Sequence, residues 1–293
     1  MIVGVDGRPG GRDAAELGAK LAALGGRVSL AHVYPDLRPA PVGVLAAEQQ
    51  HALELLDRER AATGVDAEIV GVAAGSVGAG LHQLAEQRSA DLIVVGSCSR
   101  GPVGRLMLGD DRQASLEGAP CAVAVAPAGY ASHPAPIARI GVAYDGSPES
   151  RAALALARQI AAEHRSLVCA LTVVSLPRYS YAAALAVDWS GVLEALERDA
   201  RAELARLPDV EGRVVTGVAA EELAAWSAGV DLLIAGSRGY GPLRRVMFGS
   251  TSEALARNTA CPLVVLRRGA EHHAIDAPQS QIPPRRRPAP LPG

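Results

Sequence analysis

The chain carries the same domain-sized pattern twice, and this constrains its fold more than any other feature. IVGVDGRPG at 2–10 is matched by IGVAYDGSP at 140–148, so Asp6, Gly7 and Pro9 correspond to Asp145, Gly146 and Pro148. ADLIVVGS at 90–97 is matched by VDLLIAGS at 230–237, and APCAVAVAP at 119–127 by ACPLVVLRR at 260–268. The longest match sets GSCSRGPVGRLMLGDD at 96–111 against GSRGYGPLRRVMFGST at 236–251. Several matched segments at a near-constant spacing imply two copies of one domain. A chain of 293 residues is long enough for each copy to bury its own core.

Each copy alternates short apolar runs with longer amphipathic ones. In the second copy, RIGVAYD reads as a buried strand, and Ser147-Pro148 opens a helix with Ser as N-cap and Pro in the first turn. SLVCALTVV is a second strand. A helix over 187–207 follows, with Leu193, Leu196, Ala200, Leu204 and Leu207 on one face. GRVVTG, DLLIAG and PLVVL complete five strands, with a short helix over 220–228 and another from about Ser250. The first copy follows the same order. Continuous Val/Ile/Leu strands alternating with helices predict an α/β fold: two tandem domains, each an open five-stranded parallel sheet with helices on both faces. The expected boundaries are 1–127 and 138–268, with a Pro/Ala linker over 128–137 and a disordered Pro/Arg tail over 269–293.

Composition narrows the function. Charged residues make up 20% of the chain and the net charge is -2, which argues against a general nucleic-acid binder. Lys20 is the only lysine, so the chain lacks the Gly-Lys-Ser/Thr of a Walker A loop. No apolar run is long enough to span a bilayer and no signal peptide follows Met1, so a cytoplasmic protein without membrane contact is expected. Cys98, Cys121, Cys169 and Cys261 lack CxxC spacing, which predicts reduced thiols with neither a disulfide framework nor a zinc site. Cys121 and Cys261 occupy equivalent positions and read as small buried residues.

The chemistry concentrates in the second copy's glycine loop. In an open α/β sheet, ligands bind beyond the carboxyl ends of the strands. Asp145 ends the first strand and Gly236 the fourth, so both are expected to line one crevice. Gly239 and Gly241 permit positive φ and close backbone approach. Gly249, Ser250 and Thr251 open a helix, whose free N–H groups favour an anion. Arg238, Arg244 and Arg245 add positive charge. STSE at 250–253 also reads as a capping box with Ser250 as the N-cap.

Gly236-x-x-Gly239, nine residues, then Gly249-Ser250 resembles the ATP-binding signature of universal stress proteins. The resemblance extends over nearly the whole chain and identifies it as a tandem member of that family. It implies a Rossmann-like fold of the nucleotide-binding alpha-hydrolase-like type, strand order 3-2-1-4-5. It also implies ATP, or its relatives ADP and AMP, with the nucleoside near Asp145 and Val173 and the phosphates on Gly236, Gly239, Gly249, Ser250 and Thr251; Arg238 and Gly241 join them as nucleotide-binding candidates. Magnesium is expected with the triphosphate, through ligands the sequence does not name. Single-domain relatives pair through their fifth strands. Fusion would make that pairing intramolecular, 121–126 beside 262–267, and leaves a homodimer of whole chains open.

The first copy departs from the pattern. Ser99 replaces Gly239, Asp110 and Asp111 replace Ser250 and Thr251, and Arg8 replaces Ser147. Two carboxylates where phosphate would rest predict that this copy binds no ATP, with Asp110 partly filling the anion nest. The expected function is a nucleotide-dependent stress-response binding protein. Two readings compete with it: a slow ATPase or phosphotransferase, and a scaffold that binds no nucleotide. The loop itself offers no Asp, Glu or His as a base, so at most weak ATPase activity is expected.

Overall fold

The computed structural model describes residues 1–22, 25–36, 42–97, 117–175, 189–237, 246 and 249–267. The first half runs β1 (Ile2–Gly4), α1 (Pro9–Ala22), β2 (Val28–Pro35), α2 (Val42–Thr63), β3 (Ala67–Ala74), α3 (Val77–Gln87), β4 (Leu92–Gly96) and β5 (Ala122–Ala126). The second runs β6 (Arg139–Ala143), α4 (Pro148–His164), β7 (Leu167–Val174), α5 (Trp189–Leu204), β8 (Glu211–Thr216), α6 (Ala219–Trp226), β9 (Leu232–Gly236), α7 (Ser250–Asn258) and β10 (Leu263–Leu266). In both halves the strands lie in the order 3-2-1-4-5, and every pairing inside a half is parallel.

The local sequence accounts for these elements. Ile93, Val94, Leu263, Val264 and Val265 are buried to 1% exposure or less, as strands covered on both faces require. Each first strand ends in an Asp-Gly turn in which the glycine takes positive φ, 71° at Gly7 and 74° at Gly146. Ser147 caps α4 by accepting from the Ser150 N–H at 3.2 Å, and Pro148 occupies the first turn. α5 ends at Leu204 rather than 207, because Pro208 cannot continue a helix and Asp209 turns left-handed at φ 58°. Its apolar stripe buries toward that end: Leu204 is 4% exposed beside Gly212 of β8, whereas Leu196 is 43% exposed. α6 is shorter than expected and passes into a 3-10 turn at Ser227–Gly229, where the Ser227 hydroxyl donates to the Ala224 carbonyl at 2.6 Å.

The two sheets are one. β5 and β10 pair antiparallel, Leu263 with Val125, Val264 with Ala124 and Val265 with Val123, giving a continuous ten-stranded sheet. This is the intramolecular fifth-strand pairing that the resemblance to universal stress proteins implies. Both cores cross the seam. On one face Ala124, Ala126, Val264 and Leu266 join Leu17, Leu56 and Ile160. On the other, Val123, Val125, Leu263 and Val265 join Leu81, Leu223 and Leu255.

Residues 128–137 are more than a spacer. Asp13, buried on α1, accepts from the N–H groups of Gly129 at 2.9 Å and Ala131 at 2.8 Å. The Lys20 ammonium donates to the Ala135 carbonyl at 2.7 Å and lies 4.6 Å from the Tyr130 ring centroid. At the far end Asp231 accepts from the N–H groups of Ala138 and Arg139 at 2.9 and 2.7 Å. The linker is thereby fixed to both halves, in keeping with the buried seam. No helix among the described residues is long and apolar enough to cross a membrane.

Candidate functional site

A cleft of about 510 Å³ opens beyond the carboxyl ends of β6, β7 and β9 in the second half. The turn after β6 contributes Asp145 and Ser147, and the first turn of α4 contributes Glu149. β7 contributes Leu171 and Val173, α6 contributes Ala219 and Leu223, and the start of α7 contributes Gly249, Ser250, Thr251 and Ser252. Gly236 closes the floor at the end of β9. Of the residues singled out from sequence, Asp145, Val173, Gly236, Gly249, Ser250 and Thr251 therefore meet at one cavity. Arg238, Gly239 and Gly241 lie outside the described residues, as do Arg244 and Arg245.

The polar wall is held from within. Asp145 is exposed, and its Oδ1 accepts from the Ser147 N–H at 3.1 Å and the Ser147 hydroxyl at 2.5 Å. Ser147 thus orients the carboxylate while its oxygen caps α4. Gly146 admits a neighbour below: a Cβ there would sit 2.6 Å from Oε1 of Glu203, which also accepts from the Tyr144 hydroxyl at 3.3 Å.

The start of α7 corrects one expectation. Ser250 is not the N-cap. Gly249 holds that position with φ -78° and ψ 166°, and Ser250 is the first helical residue. The Gly249 N–H donates to the Ser252 Oγ at 3.0 Å, and that hydroxyl donates to the Gly249 carbonyl at 3.2 Å. Ser252 is buried at 3% exposure, whereas Ser250 is exposed. The extended backbone of the cap falls on Gly249, which has no side chain to accept an N–H, so only the reciprocal half of a capping box forms, from the hydroxyl of the third helical residue. Ser250 has no capping duty and faces the cleft.

Gly236 has a packing role alongside its place in the floor. A Cβ there would lie 2.6 Å from the Glu149 Cβ, so the first turn of α4 rests directly on the end of β9. This contact brings Glu149 to the cleft, a carboxylate that sequence reasoning missed. An acid in the first turn of a helix is ordinary, and only its position four residues after Asp145 hinted at a second role.

The first half keeps the frame and changes the polar groups. Asp6 Oδ1 accepts from the Arg8 N–H at 3.1 Å, and Arg8 offers no hydroxyl in the place of Ser147. Gly10 stands where the second half has Glu149, and a Cβ on Gly96 would fall 1.7 Å from the Gly10 carbonyl oxygen. Cys98, Ser99, Asp110 and Asp111 lie outside the described residues. Elsewhere, burial pushes the thiols of Cys121 and Cys261 up to about 12, which leaves them neutral and unreactive at ordinary pH.

Two open α/β units of order 3-2-1-4-5, joined edge to edge, with a cleft beyond the strand ends of the second, define a tandem doubly wound protein. The universal stress protein family profile matches residues 1–127 and again 136–267, and the chain belongs to that family. It is similar to a universal stress protein of Mycobacterium tuberculosis strain H37Rv, 27% identical over 249 residues, covering 81% of this chain and 84% of the relative. A second universal stress protein of that strain is 32% identical over 192 residues, 61% of this chain and 62% of the relative. Among solved structures, a universal stress protein from Archaeoglobus fulgidus matches with a TM-score of 0.64 at 19% identity, covering 92% of this chain and 98% of its own. At that identity the likeness speaks to the fold alone.

Proposed function

We propose that the second half binds an adenine nucleotide, ATP in the first instance, and that the chain acts as a nucleotide-dependent binding protein in a stress response. The observation that carries this reading is the uncommitted start of α7: Ser250 and Thr251 face the cleft beyond β6 and β9 while Ser252 does the capping. The free N–H groups and dipole of a helix start suit phosphate. Leu171, Val173 and Leu223 give the opposite wall an apolar surface for a base, and the exposed Asp145 suits ribose hydroxyls. Arg238, Gly239 and Gly241 complete the set in sequence.

Magnesium fits the donors available. The Asp145 carboxylate and the Ser250 and Thr251 hydroxyls are hard oxygens, suited to a cation that keeps most of its waters and arrives on phosphate. Bound there, it would neutralise phosphate charge. Among the described residues no three His, Cys, Asp or Glu side chains converge to hold a metal, so the fit is to a cation shared with nucleotide.

A slow ATPase is the second reading. Glu149 favours it, because an acidic residue lines the cleft where the loop sequence has none.

The test is to purify the protein, denature it and identify the released nucleotide, then repeat with Gly249→Asp. A carboxylate ~4 Å from a phosphate charge costs about 4 kcal/mol at an effective dielectric near 20. Loss of bound ATP in the variant is expected, and full retention would remove the loop from the site. ADP accumulating over a timed incubation would select the ATPase reading.

A further inference from the structure

Val246, shortly before α7, is fastened to the other half of the chain. The Val246 N–H donates to the Ala119 carbonyl at 2.9 Å, and the Gly118 N–H donates to the Val246 carbonyl at 2.9 Å. Val246 is fully buried, in the core that holds Ala119, Cys121 and Val123 of the first half and Leu255 of α7. Gly249 lies three positions further on, so the bridge holds the start of α7 within about 11 Å. On the first-half side, Ala119 lies three residues before β5, the strand at the seam. The bridge is therefore anchored beside the buried centre of the sheet.

Gly118 makes the bridge possible. Its φ is 77°, a left-handed conformation that side chains rarely adopt, and a Cβ there would meet nothing within 4 Å. A substitution at Gly118 thus strains the backbone of the bridge without crowding any of the described residues, and Gly118 is not among the residues that line the cleft.

We propose that the first half is the positioning clamp of the second half's cleft: the bridge of Gly118 and Ala119 to Val246 sets the start of α7 opposite Asp145. Occupancy of the cleft and integrity of the bridge are then linked, each stabilising the other. The identity of the occupant rests on the nucleotide reading above; the clamp does not. This gives the degenerate copy a task that needs no ligand of its own.

The experiment compares the full chain with Gly118→Val and Gly118→Asn. Valine is strained at positive φ, whereas asparagine tolerates it. Amide hydrogen exchange is followed across Ser250–Leu255 and, as an internal reference, across the first turn of α4. In Gly118→Val without ligand, exchange over Ser250–Leu255 should rise about five- to thirtyfold with the α4 turn unchanged. Gly118→Asn should restore wild-type exchange. The ATP dissociation constant should rise by a similar factor in the valine variant alone. Unchanged exchange at α7, or an equal rise at α4 and α7, overturns the clamp. If Gly118→Val does not fold, Val246→Ala, which trims the buried side chain, carries the same comparison. A wild-type chain that binds no ATP removes the nucleotide reading, while the exchange measurement still decides the clamp.

Discussion

Ala124 and Val264 lie opposite one another at the centre of the antiparallel pairing of β5 with β10. They are the same position in the two halves: Ala124 pairs with Val94 of β4, and Val264 with Ile234 of β9. On either side of them Val123 faces Val265 and Val125 faces Leu263. An approximate two-fold axis therefore passes through this one pair, as in an isologous dimer interface. Both residues are buried, at 0% and 1% exposure, so the seam is core rather than contact surface.

A charge at the axis should separate the halves. Ala124→Asp places an unpaired carboxylate between the two cores, at a cost of about 3 kcal/mol or more. The buried seam predicts coupled melting of the parent chain, and the expected outcome for the variant is two resolved thermal transitions in scanning calorimetry. A single transition shifted downward would mean that the linker contacts of Asp13, Lys20 and Asp231 suffice to couple the halves.

The helix-to-strand contacts at Gly96 and Gly236 predict a graded pair of defects. Gly236→Ala forces its Cβ to within 2.6 Å of the Glu149 Cβ, and Gly96→Ala to within 1.7 Å of the Gly10 carbonyl oxygen. Neither neighbour can rotate away, because the Glu149 Cβ moves only with its backbone and the Gly10 oxygen is backbone itself, so each helix must shift, and further for the deeper overlap at Gly96. Urea unfolding should show a loss of about 1–3 kcal/mol for Gly236→Ala and a larger one for Gly96→Ala. Equal, negligible losses would mean that the helices relax away from the strands.

The frame of the molecule was readable because it follows from repetition and period. Val/Ile/Leu runs gave the strands, the family resemblance gave the seam, and Ser147-Pro148 gave the start of α4. What the sequence hid depends on distance and on one-residue register. Asp13 meets Gly129 and Ala131 across more than 110 positions, and nothing local to either segment signals it. Gly-Ser-Thr-Ser at 249–252 allows a cap at glycine or at serine, and only the backbone angles of Gly249 decide. Glu149 reads as an ordinary helix-start acid until Gly236 carries it against the end of β9. That contact is steric, so no pattern of charge along the chain announces it.

Burial of the thiols predicts an alkaline limit. Burial raises Cys121 and Cys261 from 9.0 to about 12, so the folded chain keeps them neutral after the unfolded chain has ionised them. Their contribution is therefore intact below pH 9 and is lost as pH rises from about 9 toward 12. Tyr130, raised from 10.0 to about 12 chiefly by burial, acts in the same direction. Melting temperature should fall across about pH 9 to 11, and Cys121→Ala with Cys261→Ala should flatten that fall. An unchanged slope in the double variant would assign the alkaline loss to other groups.

The two serines at the start of α7 should separate stability from binding. Ser252 accepts the Gly249 N–H and is buried, so Ser252→Ala leaves that donor unpaired and costs about 1 kcal/mol or more in the ligand-free protein. Ser250 is exposed at the first helical position, and Ser250→Ala should change stability by no more than about 0.5 kcal/mol. For a phosphate in the cleft, losing the Ser250 hydroxyl removes one hydrogen bond to a charged group, about 1.5–3 kcal/mol, or roughly ten- to a hundredfold in affinity. Urea unfolding without ligand and calorimetric titration with ATP read the two effects separately. Should Ser250→Ala prove the destabilising change while leaving ATP affinity intact, the hydroxyl belongs to the cap after all, and the phosphate contact passes to Thr251 and the backbone N–H groups of α7.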